Sequence, residues 1–142
     1  MEMFARSKSF QLEYLATDYI VNSNGREVVI RPNDRSPAVE QTLCRFNART
    51  AAFITAYNPL SSIRSKVTNS KAHSVLLGTI RHHGWRFIEG YGQGRDRHWP
   101  PEKSILIFRI SRAAAERLGR RFHQNAIVFV RLGQPAELVY LN

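Results

Sequence analysis

The chain has 142 residues, of which 43% are hydrophobic and 23% are charged, and it contains no repeats or low-complexity tracts. This composition predicts one ordinary globular domain with enough apolar residues to form a buried core. Its 21 lysines and arginines outnumber its 11 aspartates and glutamates, and the resulting formal net charge of +10 favours polyanionic partners.

The cysteine content and the apolar runs bound the cellular setting. The single cysteine, Cys44, cannot form an internal disulfide, and its position in a predicted helix favours a small buried apolar residue. The amino terminus lacks the apolar stretch of a secretory signal, and no apolar run approaches the roughly 20 residues that cross a bilayer. We therefore predict a single cytoplasmic domain over residues 1–142 that does not associate with membranes.

The first predicted element is a β-hairpin, which follows a short apolar lead-in over residues 10–15. Residues 17–21 and 27–31 have the composition of strands and flank Asn24-Gly25. An Asn-Gly pair is a strong signal for a tight hairpin turn, because both central positions of that turn require positive φ.

A helix and a buried strand are predicted next. Ser36 and Pro37 supply an N-cap and a first-turn proline, and the stripe that follows has helical spacing, at Val39, Leu43 and Phe46. The dense apolar run over residues 50–57 is typical of a central strand covered on both faces.

The second predicted helix has an apolar stripe and ends at Gly84, with the stripe formed by Ala72, Val75, Leu76, Thr79 and Ile80. Residues 85–89 are predicted to form a strand, and the glycine-rich residues 90–99 a loop. Because this glycine-rich stretch does not open a helix, it does not match a Rossmann or P-loop fingerprint. Residues 104–110 then form another predicted strand.

The third predicted helix begins at Ser111, and strands over residues 126–131 and 136–141 complete the chain. The element order is therefore ββαβαββαββ, which describes an α+β domain with a mixed sheet and three helices. Helical crossovers favour parallel strands, so we expect residues 50–57 to run parallel to residues 85–89. The same rule predicts that the strand over 104–110 runs parallel to the strand that follows the third helix.

This topology brings several polar segments to one edge of the sheet. The strand that begins at Ser104 is predicted to start at the edge where the strand over residues 50–57 ends. Gln124-Asn125 lies at the same edge. The second helix also begins there, and free backbone N–H groups near Asn69 favour an anion. We therefore predict a polar pocket at this edge.

These segments resemble an uncharacterised bacterial family, the domain of unknown function 3293 family. The resemblance covers most of the chain and is carried by Thr55-Ala56-Tyr57-Asn58-Pro59, Asn69, Trp99-Pro100-Pro101-Glu102-Lys103-Ser104 and Phe122-His123-Gln124-Asn125-Ala126. His123 stands where the family pattern has a glycine, and Thr68 where it has an acid. The resemblance implies a shared site and carries no known activity.

The first functional hypothesis is a module that binds a phosphate-bearing ligand, either a nucleotide or a nucleic-acid strand. Amides would read the bases, cations would contact phosphate and aromatic rings would stack. The candidate residues are Tyr57, Asn58, Arg64, Lys66, Asn69, Arg95, Arg97, Trp99, Glu102, Ser104, Gln124 and Asn125, with Tyr91 as a further stacking ring.

The candidate amides also have structural interpretations. Asn58-Pro59 can simply end a strand, because an asparagine satisfies turn backbone and a proline blocks continuation. Asn69 can serve as a helix N-cap. Gln124-Asn125 can close the third helix, with Asn125 in the left-handed conformation.

The second hypothesis is a metal-independent phosphodiesterase or nuclease. Glu102 would act as general base and His98 or His123 as general acid, and an arginine would stabilise the transition state. The ordinary alternative for Glu102 is a salt bridge with Arg95 or Arg97. The sequence leaves open whether the protein is an enzyme.

A third hypothesis is a protein-protein adaptor, which requires an exposed apolar patch. We assign no cofactor and no metal, because zinc-like spacing with cysteines or acids is missing around the five histidines, His73, His82, His83, His98 and His123. The predicted partners are therefore a nucleotide, a nucleic acid or a protein.

Overall fold

The computed structural model describes residues 11–95 and 100–141. The helices and strands of this part of the chain are α1 (Gln11–Leu15), β1 (Thr17–Ser23), β2 (Arg26–Ile30), α2 (Pro37–Arg45), β3 (Thr50–Thr55), α3 (Lys66–His83), β4 (Phe87–Gly94), β5 (Glu102–Phe108), α4 (Arg112–Arg121), β6 (Ala126–Arg131) and β7 (Glu137–Tyr140). The α+β class is confirmed, and α1 is a short helix that the apolar lead-in did not predict.

The seven strands form one sheet in the order β2-β1-β4-β5-β3-β6-β7, and each neighbouring pair is antiparallel. The predicted mixed sheet is therefore wrong. β3 and β4 do point in the same direction, but β5 lies between them and pairs with both. In the same way, β3 separates β5 from β6, so neither crossover helix joins neighbouring strands.

Helices cover both faces of the sheet. One core cluster packs α3 and α4 against the sheet, and its buried residues include Leu76, Ile107 and Leu118. A second cluster lies on the opposite face, where Leu43 of α2 packs with residues such as Phe53. β3 and β5 contribute to both clusters, which explains their nearly continuous apolar sequences.

The sheet is curled, so that its two edges approach each other. Backbone hydrogen bonds join the segment after β2 to the start of β7: Asn33 N–H donates to the carbonyl of Ala136 at 2.7 Å, and Ala136 N–H to that of Asp34 at 3.0 Å. Helix α2 therefore lies on the concave face between the edges.

Several local predictions are confirmed. Asn24 and Gly25 have φ values of 56° and 80°, as the hairpin turn between β1 and β2 requires. Ser36 caps α2 by accepting a hydrogen bond from Val39 N–H, and Ser111 caps α4 in the same way.

The glycine-rich loop prediction is wrong for residues 90–94, which belong to β4. Gly90 lies against β1, and a Cβ at this position would collide with the carbonyl oxygen of Ile20. Because glycine has no Cβ, the backbones of β4 and β1 can approach closely where the sheet curls. The residue is therefore needed within a strand and not in a turn.

Two predictions of burial are also wrong. Cys44 is exposed, because it follows buried Leu43 by about 100° around the helix and so leaves the core face. Val75 is 54% exposed, while Leu76 and Ile80 of the same stripe are buried. Within the described residues, none of the helices combines the length and the apolar character needed to cross a bilayer.

Candidate functional site

The chain leaves β3 through a turn over residues 58–61, which we call the Asn-Pro turn. Asn58, Leu60 and Ser61 have φ values of 47°, 54° and 59°, in the left-handed region that side-chain-bearing residues rarely adopt. Such strained backbone persists only where surrounding contacts hold it. The contacts come from α3, β5, the segment after α4, and α1.

The side chain of Asn58 is the centre of these contacts. Its Oδ1 accepts from Arg64 N–H and from Asn69 Nδ2, both at 2.9 Å. Its Nδ2 donates to Glu102 Oε2 at 2.6 Å, and its backbone N–H donates to Asn69 Oδ1 at 2.9 Å. Asn58 and Asn69 are 7% and 5% exposed, so the hydrogen bonds between them are removed from water, whereas those to Arg64 and Glu102 are partly buried.

Asn69 does not cap α3, contrary to one structural interpretation. The helix begins at Lys66, and Ser65 is the N-cap, whose Oγ accepts from Thr68 N–H at 3.1 Å. Asn69 therefore lies in the first full turn, and its amide faces the Asn-Pro turn.

Gln124 and Asn125 anchor the same turn from the end of α4. Gln124 Nε2 donates to the carbonyl of Tyr57 at 3.2 Å, and Asn125 Nδ2 donates to Ser61 Oγ at 3.0 Å. The left-handed residue after α4 is His123, with φ 57°, and the prediction of that conformation for Asn125 is wrong. This conformation also explains why a glycine suits the position of His123.

Helix α1 contributes a residue that the sequence did not single out. The Tyr14 hydroxyl lies 2.7 Å from Ser61 Oγ. The Asn-Pro turn is thus held by side chains from four separate parts of the chain, and α1 is the part that no sequence motif marked.

Glu102 and Ser104 lie at the start of β5. Ser104 is 1% exposed, and its hydroxyl donates to the backbone carbonyl of Glu102 at 2.9 Å. The predicted alternative of a salt bridge with Arg95 does not fit, because Arg95 forms its ion pair with Asp18, Nε to Oδ1, at 3.1 Å. Arg97, the other proposed partner, lies outside the described residues.

An open cleft of about 910 Å³ lies between α3, β4 and the start of β5. We call it the α3 cleft, and it is lined by Tyr57, Asn58, Ile63, Arg64, Lys66, Asn69, His73, Glu89, Gly90, Tyr91, Gln93, Pro100, Pro101, Lys103 and Ser104. Among the described residues of this lining, Glu89 is acidic and Arg64, Lys66 and Lys103 are cations. The Asn-Pro turn and the amino-terminal end of α3 form one side of the cleft.

His73 lines the α3 cleft and is another residue that the sequence did not indicate as part of the site. The residue is 8% exposed, and its Nδ1 is buried without a hydrogen-bond partner in the described part of the chain. Its ring contacts Tyr57 edge-on, with 6.1 Å between centroids. Its spacing in the sequence could have identified it, because a histidine four residues after Asn69 lies on the same helix face.

Burial lowers the pKa of His73 below its ordinary value, while Glu89 opposes this shift and Lys103 adds to it. The unfolded chain therefore binds this proton more readily than the folded protein, and stability decreases as the pH falls through the ordinary histidine pKa, near 6.5. We expect His73→Gln to lose less stability than the wild type between about pH 7 and pH 5. Thermal unfolding at both pH values measures this, and equal losses would contradict it.

The proposed catalytic pair is not assembled within the described residues. His123 is exposed, and no hydrogen bond joins it to Glu102 in the part of the chain that the structure describes. His98 and the stacking candidate Trp99 lie outside that part. No group of three or more metal-ligating side chains occurs among the residues searched, which are the described ones.

A family model described as "Protein of unknown function (DUF3293)" matches residues 54–127, more than half of the chain. The chain belongs to this family, as the motifs around the Asn-Pro turn predicted. The matched range begins just before the end of β3 and ends just after Asn125, so it contains every segment of the α3 cleft. No curated protein and no solved structure matches the chain significantly.

Proposed function

We propose that this member of the family binds a small phosphate-bearing ligand, of the nucleotide class, in the α3 cleft. The observation that carries the proposal is that Arg64, Lys66 and Lys103 border the same cleft as the amino-terminal end of an 18-residue helix. Phosphate oxygens accept hydrogen bonds from cationic side chains, and the positive end of a helix dipole attracts the same group.

The three cations are available to a ligand. Each is exposed, and in the part of the chain that the structure describes none of them forms an ion pair. The backbone of Arg64 is fixed, because its N–H donates to Asn58 Oδ1. A fixed loop next to the helix end reduces the ordering that phosphate binding would otherwise require.

His73 supplies an independent reason to expect a ligand. A buried polar atom without a partner is unfavourable, and such atoms in native proteins call for an explanation. Because the burial of His73 favours its neutral form, the imidazole presents one donor and one acceptor nitrogen. His73 lines the cleft, so a ligand held there would lie against its imidazole ring.

The rest of the lining suits the organic part of a nucleotide. Tyr57, Tyr91, Pro100 and Pro101 offer flat or apolar surface beside the cations. A volume of about 910 Å³ lies within the range of pockets that hold small organic ligands, which is roughly 300–1,000 Å³.

In this proposal the amides position the site. Both Asn58 Oδ1 and Asn69 Nδ2 make two hydrogen bonds to protein atoms, and Gln124 Nε2 does the same. Their role is to hold the Asn-Pro turn and the end of α3 in register, while the cations and His73 contact the ligand.

The test compares two lysines of α3 that carry the same charge. Lys66 borders the cleft, whereas Lys71 is exposed on the same helix outside the lining. We expect nucleoside 5′-monophosphates to raise the melting temperature of the wild type and of Lys71→Ala at moderate salt. Lys66→Ala should weaken binding about tenfold, as expected for a lost charge-assisted phosphate contact, and calorimetric titration measures this.

Two results would overturn the proposal. Shifts that occur only with long polyanions, that salt abolishes and that both lysine variants share would mean nonspecific attraction by the net charge. Release of a cleaved product that Glu102→Gln abolishes, with binding retained, would favour the phosphodiesterase hypothesis instead.

A further inference from the structure

The end of the sheet opposite the α3 cleft carries a second concentration of positive charge. α3 extends over 18 residues, or about 27 Å, and separates the two regions along its axis. At its carboxyl end the chain passes through Arg81, His83, Trp85 and Arg86, and the end of α2, on the other face of the sheet, brings Arg45 and Phe46 beside Arg86. We call this group of six residues the basic end.

The segments of the basic end are joined by direct contacts. The Phe46 ring stacks on Phe108 with 3.9 Å between centroids, and Phe108 N–H donates to the carbonyl of Arg86 at 2.9 Å. Arg109, at the end of β5, donates its N–H to the carbonyl of Thr50 at 2.9 Å and adds another exposed cation. Basic residues that are scattered in the sequence therefore meet at one end of the fold.

Acidic residues are missing from the segments that form most of this end. The chain contains no aspartate or glutamate between Glu40 and Glu89. In the described residues, Arg45, Arg81 and Arg86 form no ion pair, although other arginines of the molecule do. The positive field at this end is therefore not neutralised by the protein itself.

Aromatic rings hold these cations in place. The guanidinium carbons of Arg45 and Arg86 lie 5.0 and 4.8 Å from the centroid of Phe46, and that of Arg81 lies 5.8 Å from Phe87. Such cation–π contacts fix the planar groups and reduce the entropy lost when they bind phosphate. The dipoles of α3 and α2 account for Arg81 and Arg45, which lie in the last turns of these helices, but not for Arg86.

A stacked pair of rings lies between Arg81 and Arg86 in the chain, on the α3 face of the sheet. The rings of His83 and Trp85 are 4.4 Å apart and 19° from parallel. Trp85 packs against the core, while His83 is exposed and extends the stack outward. A nucleic-acid base can stack on such a surface whatever its sequence, because every base has a π-face.

We propose that the basic end binds single-stranded nucleic acid, with Arg45, Arg81 and Arg86 on the phosphates and His83 stacked on a base. The arginines are spread around the sheet end, an arrangement that fits a chain of phosphates better than one small anion. No residue of the α3 cleft takes part, so this proposal does not depend on the proposed function.

The test uses fluorescence anisotropy with a labelled oligodeoxythymidine of about 12 nucleotides. We expect Arg45→Gln/Arg86→Gln to weaken binding about tenfold. The slope of log Kobs against log salt concentration should become shallower by about 1.4, since each single-strand phosphate contact contributes about 0.7. The matched control, Arg117→Gln/Arg121→Gln, removes the same charge from the exposed face of α4 and should change affinity less than about threefold.

Neighbouring histidines test the stacking contact. His83→Ala should weaken oligonucleotide binding about fivefold or more. His82→Ala removes a ring that meets His83 edge-on at 6.0 Å but does not stack on Trp85, and it should weaken binding clearly less. Melting temperatures of all variants confirm that the fold is retained. Equal losses in both arginine pairs, equal losses in both histidine variants, or binding to anionic lipid vesicles without binding to the oligonucleotide would overturn the proposal.

Discussion

Replacement of Gly90 by alanine is expected to destabilise the protein by more than about 3 kcal/mol, which lowers the melting temperature by about 10 °C for a domain of this size. The added Cβ would meet β1 most closely at the backbone, at the Ile20 carbonyl and the Val21 Cα, and would also contact the branched side chain of Val21. Backbone in a paired strand cannot move aside without loss of hydrogen bonds between β1 and β4.

Gly92→Ala is the matched control on the same strand. A Cβ at Gly92 would lie 3.7 Å from Thr17 Cγ2, which is an ordinary van der Waals contact. We expect a change of less than about 1 kcal/mol, because alanine also restricts the unfolded chain. Similar melting temperatures for the two variants would contradict the close approach of β1 and β4.

Gly90 also shows why the sequence mispredicted this region. Gly90, Gly92 and Gly94 alternate along β4, and glycine is a turn residue by local preference. Its use in this strand comes from the curl of the sheet, which brings a second backbone within contact distance. That contact joins residues about 70 positions apart, so no local window of sequence contains it.

Predictions succeeded where the physical cause was local. Asn24-Gly25 fixes a turn by its own backbone preferences, and Ser36 and Ser111 cap helices within three residues of themselves. The parallel pairing failed because the crossover rule gives strand direction, whereas the neighbour of a strand depends on which later strand fills the space.

The candidate site was predictable in position and less so in detail. Strand direction alone predicted that the Asn-Pro turn, the start of β5 and the end of α4 lie together where the central strands end. Their side chains do meet there. One interpretation gave Asn69 the cap of α3, yet Ser65 is the cap, and the amide of Asn69 bonds to Asn58. His73 was missed because a lone histidine on a helix carries no motif.

Asn58→Ala is expected to lower the free energy of unfolding by about 3 kcal/mol and the melting temperature by about 10 °C. The substitution removes the acceptor of Arg64 N–H and Asn69 Nδ2 and the donor to Glu102, and it leaves the amide of Asn69 buried without this partner. Alanine must also adopt a left-handed conformation that asparagine tolerates better.

Asn47→Ala separates these two costs. Asn47 has φ 52°, close to the 47° of Asn58, but it is exposed and its side chain makes no hydrogen bond within the described residues. Its replacement should therefore show the conformational cost alone, about 1 kcal/mol. If Asn58→Ala loses no more stability than Asn47→Ala, the hydrogen bonds around the Asn-Pro turn contribute nothing to folding.

Asn58→Asp tests the contact between residue 58 and Glu102 through the pH dependence of stability. The new carboxylate would face Glu102 across the present 2.6 Å contact, and two carboxylates this close cannot both ionise. Their repulsion raises a folded-state pKa above its unfolded value, so the loss is largest at neutral pH and disappears as the pH falls through the raised pKa. We expect the melting temperature of Asn58→Asp to move toward that of the wild type between about pH 7 and pH 5. A gap that stays constant over this range would mean that the side chain of residue 58 does not contact Glu102.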